Sequence, residues 1–505
     1  MAIKRYYAAK DNTITNAYKA NLQLRGVSGN MGQSDILEIF HIYGQQNSAS
    51  SENARCLIQF NTDDISTDRT AGTIPASGSV SFFLKLYDAQ HTQTTPKDFT
   101  LVVSAVSQSW EEGLGLDMED YTDEDASNWI SASEGTVWKD FWNTTLEGGS
   151  FKTGSDANLD VYTFKQTFDT GFEDMEIDVS NLVEDWVDDD YITNYGFGIH
   201  LTASLETGSN SYYTKKFFAR GSQFFHKRPV LEARWDDSKK DNRGNLYLSS
   251  TMVPAADNLM KLYLYNVVKG ELTDIPYVGT GEVEVSIYSG NLANSSPSGS
   301  RIGLPAGGGT ITAGDQNTTA SHVETGIYSC SFAYTASGIT TIFDVWHTSS
   351  YGIGGNTFPY TEFHTGSAIT VNTYDSKDYN FDQKYVSNVT NLKAVYSTDE
   401  SVRFRVYVRL KDWSPTIYSI ASEEIETSII EDAYYKIVRV ADNLEVVPLG
   451  TGSINHTRLS YDVSGSYFDL EMNLFNEDAV YELSLAYVIN GSYVEQSEKF
   501  RFRVE

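Results

Sequence analysis

Residues 214–235, TKKFFARGSQFFHKRPVLEARW, combine the residue types that bind anions and rings. They hold six Lys and Arg residues, one histidine and a single glutamate, with four phenylalanines and a tryptophan between them. Cations beside aromatic rings suit carboxylated sugars and phosphates. The 505-residue chain has a formal net charge of −31, which would repel nucleic acid, so we expect no nucleic-acid partner. We favour local charge balance within one acidic domain, with a bound acidic glycan at Arg220, Lys227 and Arg228 as the alternative.

Two acidic runs contain residue types that bind hard cations. Residues 111–125 hold eight carboxylates and residues 173–190 hold nine, in both cases without Lys or Arg. Ca²⁺ takes about six to eight oxygen ligands. Several could come from the first run: Asp117, Glu119, Asp120, Asp123 and Asp125. Because the spacing lacks the alternating Asp and central Gly of an EF-hand loop, we predict a solvated, charge-repelling loop, with calcium binding as the alternative.

Motifs of known catalysts do not occur in the sequence. GxSxG, HExxH and CxxC are absent, and no GxGxxG joins a predicted strand to a helix. Eight histidines lie singly, at positions 41, 91, 200, 226, 322, 347, 364 and 456. A lone histidine on a strand is usually a surface or core residue. We therefore expect no enzyme activity, catalytic residue, cofactor or metal site; a glycan-degrading enzyme is a further hypothesis, disfavoured because short fixed-period repeats are absent.

The cysteines and the apolar residues bear on the compartment. Cys56 and Cys330 lie about 270 residues apart, so a disulfide framework is not expected. The first residues contain no apolar run of signal-peptide length, and no stretch approaches the ~18 consecutive apolar residues of a membrane span. We predict synthesis in a cytosol and no membrane association.

Alternating apolar and polar residues predict that strands dominate. In residues 401–413, SVRFRVYVRLKDW, the residues Val402, Phe404, Val406, Val408 and Leu410 share one face and charged residues the other. Further strands are predicted over 54–60, 80–89, 99–107, 282–288, 435–440 and 467–475. One short helix is predicted over 178–189, with Ser180 as its N-cap.

Polar stretches after Trp235 and near residue 375 predict domain boundaries. The predicted domains are residues 1–236, 243–374 and 377–505. Each of the last two carries repeated short strands, which suits an immunoglobulin-like β-sandwich. The glycine-rich run 294–315 lacks GxxxxGK, so we predict a loop or irregular hairpin and no phosphate site. The predicted fold class is therefore all-β, with tandem β-sandwiches.

The first domain resembles the DNRLRE family of jelly-roll-like β-sandwiches found in extracellular and cell-surface proteins. The matching pieces follow the family's order: NMGQSDILEIF (30–40), SENARCLIQFNTDDI (51–65), VSFFLKLYDA (80–89), FTLVVSAVSQSWEEG (99–113), DASNW (125–129), the segment 176–201 and FFARGSQFFHKRPVLEARW (217–235). The last piece includes the family's Arg-Pro, and the long insert at 130–165 departs from the pattern. This resemblance implies a non-catalytic jelly-roll-like domain with a glycan as candidate ligand.

The whole chain is similar to virion structural proteins of marine tailed phages that infect cyanobacteria. The opening MAIKRYYAAKDNTITNAY and the junction FFHKRPVLEARWDD carry this likeness. It implies a non-enzymatic appendage or decorating subunit of the head, neck or tail, made in the host cytoplasm and located in the virion. Expected partners are neighbouring virion proteins and further copies of the chain in a homo-oligomer. The alternative function is recognition of a host-surface polysaccharide.

Overall fold

The structure is a computed structural model that divides the chain into two compact units, residues 2–236 and 237–505. It describes residues 2–91, 96–140, 142–152, 162–188, 192–251, 253–303, 317–348, 351–353, 356–358, 360–373, 384–413 and 427–505. Strands predominate in both units, so the all-β class is confirmed. None of the described helices is long and apolar enough to cross a membrane.

The first unit contains twelve strands and three short α-helices within its described residues. The strands are β1 (Ile3–Thr15), β2 (Ile36–Tyr43), β3 (Ser51–Phe60), β4 (Ser81–Leu86), β5 (Phe99–Ala105), β6 (Ser131–Ser133), β7 (Thr136–Val137), β8 (Thr163–Phe168), β9 (Met175–Asp178), β10 (Phe197–Leu201), β11 (Tyr212–Phe218) and β12 (Val230–Arg234). The helices are α1 (Asp63–Thr70), α2 (Ser180–Asp188) and α3 (Ala203–Glu206), and a 3-10 turn covers Phe225–Lys227.

Strand β1 belongs to two parts of the first unit's sheet. The strand order is β8-β5-β10-β3-β1-β12-β4-β9, and β11 joins through β2, which pairs with β3. Residues 3–7 of β1 pair with β12 and residues 8–15 pair with β3, with a register shift between Ala8 and Lys10. Such an irregularity bends a strand. Side chains from both parts of the sheet, including Leu84, Leu101 and Leu231, share one core.

Helix α2 packs on this core as the sequence pattern predicts. Leu182, Val183 and Trp186 are buried, while Glu184 and Asp185 between them are partly buried. The predicted N-cap role of Ser180 is wrong. Ser180 is the first helical residue, and its hydroxyl donates to Asp178 Oδ1 at 2.5 Å and accepts the Phe82 N–H at 2.8 Å. That hydroxyl therefore joins the helix start to β4.

The second unit contains twenty-two strands within its described residues. The first thirteen are β13 (Leu246–Tyr247), β14 (Leu259–Tyr265), β15 (Val267–Val268), β16 (Glu271–Leu272), β17 (Val283–Ser289), β18 (Arg301–Ile302), β19 (Asn317–Glu324), β20 (Ile327–Ala333), β21 (Thr341–Thr348), β22 (Tyr351–Ile353), β23 (Asn356–Phe358), β24 (Thr361–Thr365) and β25 (Ile369–Asn372). The others are β26 (Tyr385–Val389), β27 (Val395–Tyr396), β28 (Ser401–Leu410), β29 (Ala433–Arg439), β30 (Leu444–Val447), β31 (Ser460–Asp462), β32 (Gly465–Glu471), β33 (Ala479–Ile489) and β34 (Ser492–Val504). Three 3-10 turns cover Asn242–Gly244, Ala255–Asn258 and Met472–Leu474.

Three larger sheets organise the second unit. One runs β13-β25-β21-β17-β19-β20-β14, with β18 on β17 and β24 on β21. The other two run β26-β28-β32-β31 and β27-β34-β33-β29-β30. Rings from these last two sheets pack together, with Phe468 stacked on Phe404 at 5.2 Å and on Tyr435 at 4.1 Å between ring centroids. The alternation predicted for 401–413 is therefore correct in β28, although the strand ends at Leu410.

The polar segment predicted as a boundary after Trp235 is ordered. The backbone of Lys240 forms an isolated parallel β-bridge with that of Tyr461, and the Asp241 N–H donates to the Tyr461 carbonyl at 3.0 Å. Asn242 Nδ2 lies 3.1 Å from the Tyr461 hydroxyl. Arg243 Nη2 donates to Asp344 Oδ2 on β21 at 2.5 Å. Residues 240–243 thus contact strands on both sides of the boundary predicted near residue 375.

Parts of two predictions lie outside the described residues. Of the glycine-rich run, Arg301 and Ile302 form β18 and pair with β17, while 304–315 are not described. Residues 374–383, which contain the second predicted boundary, are also outside. The strand predicted over 467–475 is wrong at its end, because β32 stops at Glu471 and a 3-10 turn follows.

Candidate functional site: an aromatic surface and an acidic-rimmed groove

The C-terminal end of the basic strip lies in a row of buried charges. Glu232 on β12 is fully buried, and its carboxylate accepts bonds from Arg5 Nε and Arg234 Nε, both at 2.7 Å. Lys85 Nζ lies 3.8 Å away. Although burial opposes ionisation, the charges of Lys85, Arg5 and Arg234 hold the pKa of Glu232 below its usual range. Arg234 therefore serves the fold, not a ligand.

Three other cations of the strip also pair with carboxylates of the first unit. They are Lys215 with Asp88 at 2.5 Å, Lys216 with Glu38 at 2.5 Å, and Arg220 with Glu112 at 2.7 Å. Local charge balance, the first interpretation of the strip, is confirmed for these residues and for Arg234.

Arg220 lies over a buried carboxylate. Its main-chain N–H donates to Asp11 Oδ2 at 2.5 Å, and its Nε donates to Glu112 Oε1 at 3.0 Å. Glu112 Oε1 also accepts the Asp11 N–H at 2.9 Å. Burial raises the pKa of Asp11 to about 7, because desolvation outweighs the N–H bond and the charge of Arg220. With its guanidinium committed to Glu112, Arg220 is not positioned as a sugar ligand.

The middle of the strip forms a partly exposed set of rings and cations, which we call the aromatic surface: Tyr7, Phe218, Phe224, Phe225, Lys227 and Arg228. Phe224 and Phe225 are 53% and 46% exposed. Ring centroids lie 4.5 Å apart for Tyr7 and Phe225 and 5.5 Å apart for Phe218 and Phe224. The cations lie over these rings, with Lys227 Nζ 5.4 Å from the Phe218 centroid and Arg228 Cζ 5.2 Å from that of Phe225.

The local backbone positions the aromatic surface. Phe225–Lys227 form a 3-10 turn, and Arg228 returns to extended backbone before Pro229 and β12. Arg228 Nε donates to the Ser222 carbonyl at 2.8 Å, which closes the turn on itself. Exposed apolar side chains in a fixed turn, with cations beside them, are typical of a contact surface for a partner or ligand.

The acidic loop, residues 111–125, is held in place by a buried asparagine. Asn30 Nδ2 donates to the carbonyls of Glu112 and Ser127, both at 2.7 Å, and its Oδ1 accepts the N–H of Gly115 at 3.1 Å. Asn30 is fully buried. The backbone of the loop is thus fixed from a position about 85 residues earlier in the sequence.

Two carboxylates of the acidic loop, Asp117 and Asp123, accept bonds from the loop's own backbone. Asp117 Oδ1 accepts N–H bonds from Glu119 and Asp120 at 2.8 Å and from Tyr121 at 3.1 Å. These bonds lower the pKa of Asp117. Asp123 Oδ2 accepts the Leu114 N–H at 2.8 Å. In the part of the chain that the structure describes, no three His, Cys, Asp or Glu residues are grouped to hold a metal ion, so the calcium alternative gains no support.

A groove of about 250 Å³ lies between the acidic loop and the outer face of β1 and β2. Its lining consists of Thr13, Thr15, Met31, Ser34, Ile36, Glu38, Phe40, Leu116, Asp117 and Met118. Phe40 and Met118 pack together with Ala17. The groove therefore has an apolar floor and carboxylates at Glu38 and Asp117.

Several carboxylates of the second acidic run, residues 173–190, have partners within the first unit. Glu176 pairs with Arg234 at 2.8 Å and Glu184 with Arg69 at 2.5 Å. Asp185 accepts the Tyr162 hydroxyl at 2.5 Å. Residues 189 and 190 lie outside the described residues.

The structure brings together one serine, histidine and glutamate in an arrangement that the sequence motifs do not indicate. Ser286 Oγ lies 2.6 Å from His347 Nε2, and His347 Nδ1 lies 3.6 Å from Glu284 Oε2. Glu284 and His347 face each other in the register of β17 and β21. Ser286 is fully buried, however, and 3.6 Å is too long for the second hydrogen bond of a triad. Burial also lowers the pKa of His347, and its Nε2 bonds to the Ser286 hydroxyl away from solvent.

Comparisons with known proteins do not assign the chain to a family. No family model matches it, and no curated protein matches it. It is similar to a solved DUF4785 family protein from Legionella pneumophila, with 8% identity over 99% of this chain and 92% of that chain and a TM-score of 0.13. It is also similar to trypsin-activated alpha-2-macroglobulin from Escherichia coli, with 9% identity over 89% of this chain and 24% of that chain and a TM-score of 0.15. Scores this low do not establish a shared fold.

Proposed function

We propose that this chain is a non-enzymatic structural component of a tailed phage particle, which docks on neighbouring virion proteins from the head, neck or tail. Its first unit would be a jelly-roll-like domain of the DNRLRE type, and residues 243–374 and 377–505 would form two immunoglobulin-like sandwiches. The resemblance of the opening residues and of the 224–237 junction to virion proteins supports the particle assignment. Several copies in a symmetric homo-oligomer are part of this proposal.

The observation that carries the proposal is the contrast between buried reactive side chains and exposed aromatic side chains. Within the described residues, the Ser286–His347 pair and Glu232 are buried, and each bonds to an internal partner. In contrast, Phe224, Phe225 and Tyr121 stay exposed on the first unit. A protein that binds and holds needs such surfaces and needs no reaction centre.

Mass spectrometry of purified particles tests the particle assignment. Phage particles banded by density from a lysate that produces this chain should contain it at a fixed ratio to the major capsid protein. Particles stripped by a high-salt wash serve as the control for adsorbed protein. Absence of the chain from banded particles, or its loss in the wash, would refute the proposal.

A second function, recognition of a host-surface polysaccharide, is favoured by the aromatic surface. Arg228 lies over the exposed ring of Phe225 and Lys227 over the half-buried ring of Phe218, an arrangement that gives an acidic sugar both a cation and an apolar face. Arg220, the third residue of the predicted trio, is replaced in this account by Phe224 and Phe225, because its donors face Glu112.

A glycan array probed with the full chain tests this second function. Phe224→Ala together with Phe225→Ala should reduce binding of uronic-acid glycans at least about tenfold. Phe172→Ala is a matched control, because Phe172 is 57% exposed on the same unit but lies outside the aromatic surface. Binding that survives the double substitution, or no binding to any acidic glycan, would exclude this role.

A further inference from the structure

We propose that the groove beneath the acidic loop docks a polypeptide segment of a partner protein, in which an apolar side chain is flanked by Lys or Arg. This inference rests on the proposed docking function and names a site and a partner chemistry for it. Four features support it: the size of the groove, its floor, its charge and its rigidity.

The size and floor of the groove suit one or two side chains. Its volume of about 250 Å³ is below the ~300–1,000 Å³ of sites that enclose whole small molecules. Met31, Met118, Ile36 and Phe40 supply the apolar lining. Methionine side chains adapt to varied partners and are common in surfaces that bind apolar side chains of peptides. Leu116, 48% exposed at the edge, extends the apolar surface outward.

The charge of the rim selects a basic partner. Of the eight carboxylates in the acidic loop, Glu112 pairs with Arg220, and the other seven form no ion pair with any residue that the structure describes. Asp117 lines the groove, and Asp120, three residues later in the acidic loop, is exposed. Lys or Arg side chains beside the inserted residue would meet these carboxylates, which also accelerates association at low salt.

The groove is rigid before any partner arrives. Asn30 fixes the backbone of the acidic loop, and the Met31 N–H donates to Asn12 Oδ1 at 2.9 Å. Any Cβ at Gly115 would overlap the Asn30 carbonyl oxygen, so the close approach of these two loops requires glycine. A wall built this way needs little reordering on binding, which reduces the entropic cost of association.

A different, basic protein fits this groove better than a second copy of the chain. Each copy carries a net charge of −31, which disfavours a second copy as the occupant of a groove with an acidic rim. Four of the six cations in the strip 214–235 are already paired with carboxylates.

A peptide selection on the full-length chain tests the groove. A random short-peptide library is selected on immobilised wild-type protein and counter-selected on Leu116→Ser, which changes an exposed side chain. Recovered peptides should carry Lys or Arg next to a large apolar residue. Their affinity should fall at least about tenfold with Leu116→Ser and with Asp120→Lys, and should also fall as salt rises. Leu292→Ser, at a residue 63% exposed in the second unit, should leave it unchanged.

Three results would overturn the groove proposal. These are recovery of no groove-dependent peptide, recovery of neutral or acidic peptides only, and self-association of the chain that Leu116→Ser abolishes, which would make a second copy the occupant. The outcome is separable from that of the proposed function. Groove binding of basic peptides by a chain that is missing from particles would refute only the particle assignment, whereas a particle-borne chain that selects no basic peptide would refute only the groove.

Discussion

At the residue scale, buried polar side chains set the shape of the surfaces that the first unit presents. Asn30 and Asn12 are fully buried, and together they join the acidic loop and the preceding loop to β1. Asp11 has a similar position beneath Arg220 but carries a charge that burial disfavours. Its carboxyl group is therefore a net cost to stability wherever it must ionise.

Asp11→Asn should stabilise the protein at neutral and alkaline pH. The pKa of Asp11 is raised from 3.8 to about 7 in the folded state. The contribution of this carboxyl group to the free energy of unfolding is therefore complete below pH 4 and is lost as pH rises through 7. The advantage of the variant should accordingly be absent near pH 4 and reach up to roughly 4 kcal/mol above pH 7. Thermal unfolding of both proteins across this range measures it, and an unchanged or lower Tm at pH 8 would contradict the assignment.

These residue-scale features could not be predicted from the sequence, because the contacts that create them are not local. The link from Asn30 to Gly115 spans 85 residues, and that from Ser286 to His347 spans 61. The pairing of Ser286 with His347 depends on the register of β17 and β21, which alternation alone does not give. The acidic composition of the loop is visible in the sequence, but the hydrogen bonds of Asn30 that hold its backbone are not.

At the scale of single elements, β12 shows how one strand can be buried on both faces. Leu231 and Ala233 enter the core, and Val230, Glu232 and Arg234 on the opposite face are buried as well. The register places Arg5 of β1 opposite Glu232. Cross-strand pairing therefore supplies the counter-charge that makes this burial tolerable.

Glu232→Gln should destabilise the protein strongly, because it removes the buried anion that Arg5, Lys85 and Arg234 share and leaves only Glu176 beside Lys85 and Arg234. Removing one partner of a buried ion pair costs about 3–5 kcal/mol. Asp469→Asn is the control, because it breaks the exposed pair with Arg403 and should cost about 0–1 kcal/mol. Denaturant unfolding compares the two variants; equal costs would show that the Glu232 row is unimportant to the fold.

Elements with strict periodicity were the ones that the sequence predicted well. The strands over 54–60 and 99–107 and the helix over 178–189 are present with shifted ends. Ends were less predictable because capping and turn contacts decide them: Ser180 bonds to β4 and does not cap α2. Sheet order was beyond sequence patterns, since β1 changes partner at Ala8, where only a register shift marks the change.

At the scale of the whole molecule, the second unit is held together by the polar segment that follows the first. Arg243 binds Asp344 at 2.5 Å and Asp241 at 2.7 Å, and Asp344 is fully buried. The polar composition of this segment predicts a domain boundary, but it does not reveal these ion pairs.

Arg243→Ala should lower the free energy of unfolding of the second unit by about 3–5 kcal/mol, because the buried Asp344 carboxylate loses its guanidinium partner. Hydrogen exchange read by mass spectrometry should show faster exchange in β17, β21 and residues 240–245. Lys393→Ala, which removes an exposed pair with Glu400, is the control and should leave exchange there unchanged. Protection that is equal in wild type and Arg243→Ala would mean that this network does not hold the sheets.

The central claim is that the chain holds and contacts other proteins of a phage particle without catalysing a reaction. Cryo-electron microscopy of intact particles from the producing lysate tests it most directly. We expect density for the chain in fixed, symmetric copies, with its exposed surfaces against a neighbouring protein or directed outward. Particles that are complete without such density would contradict it.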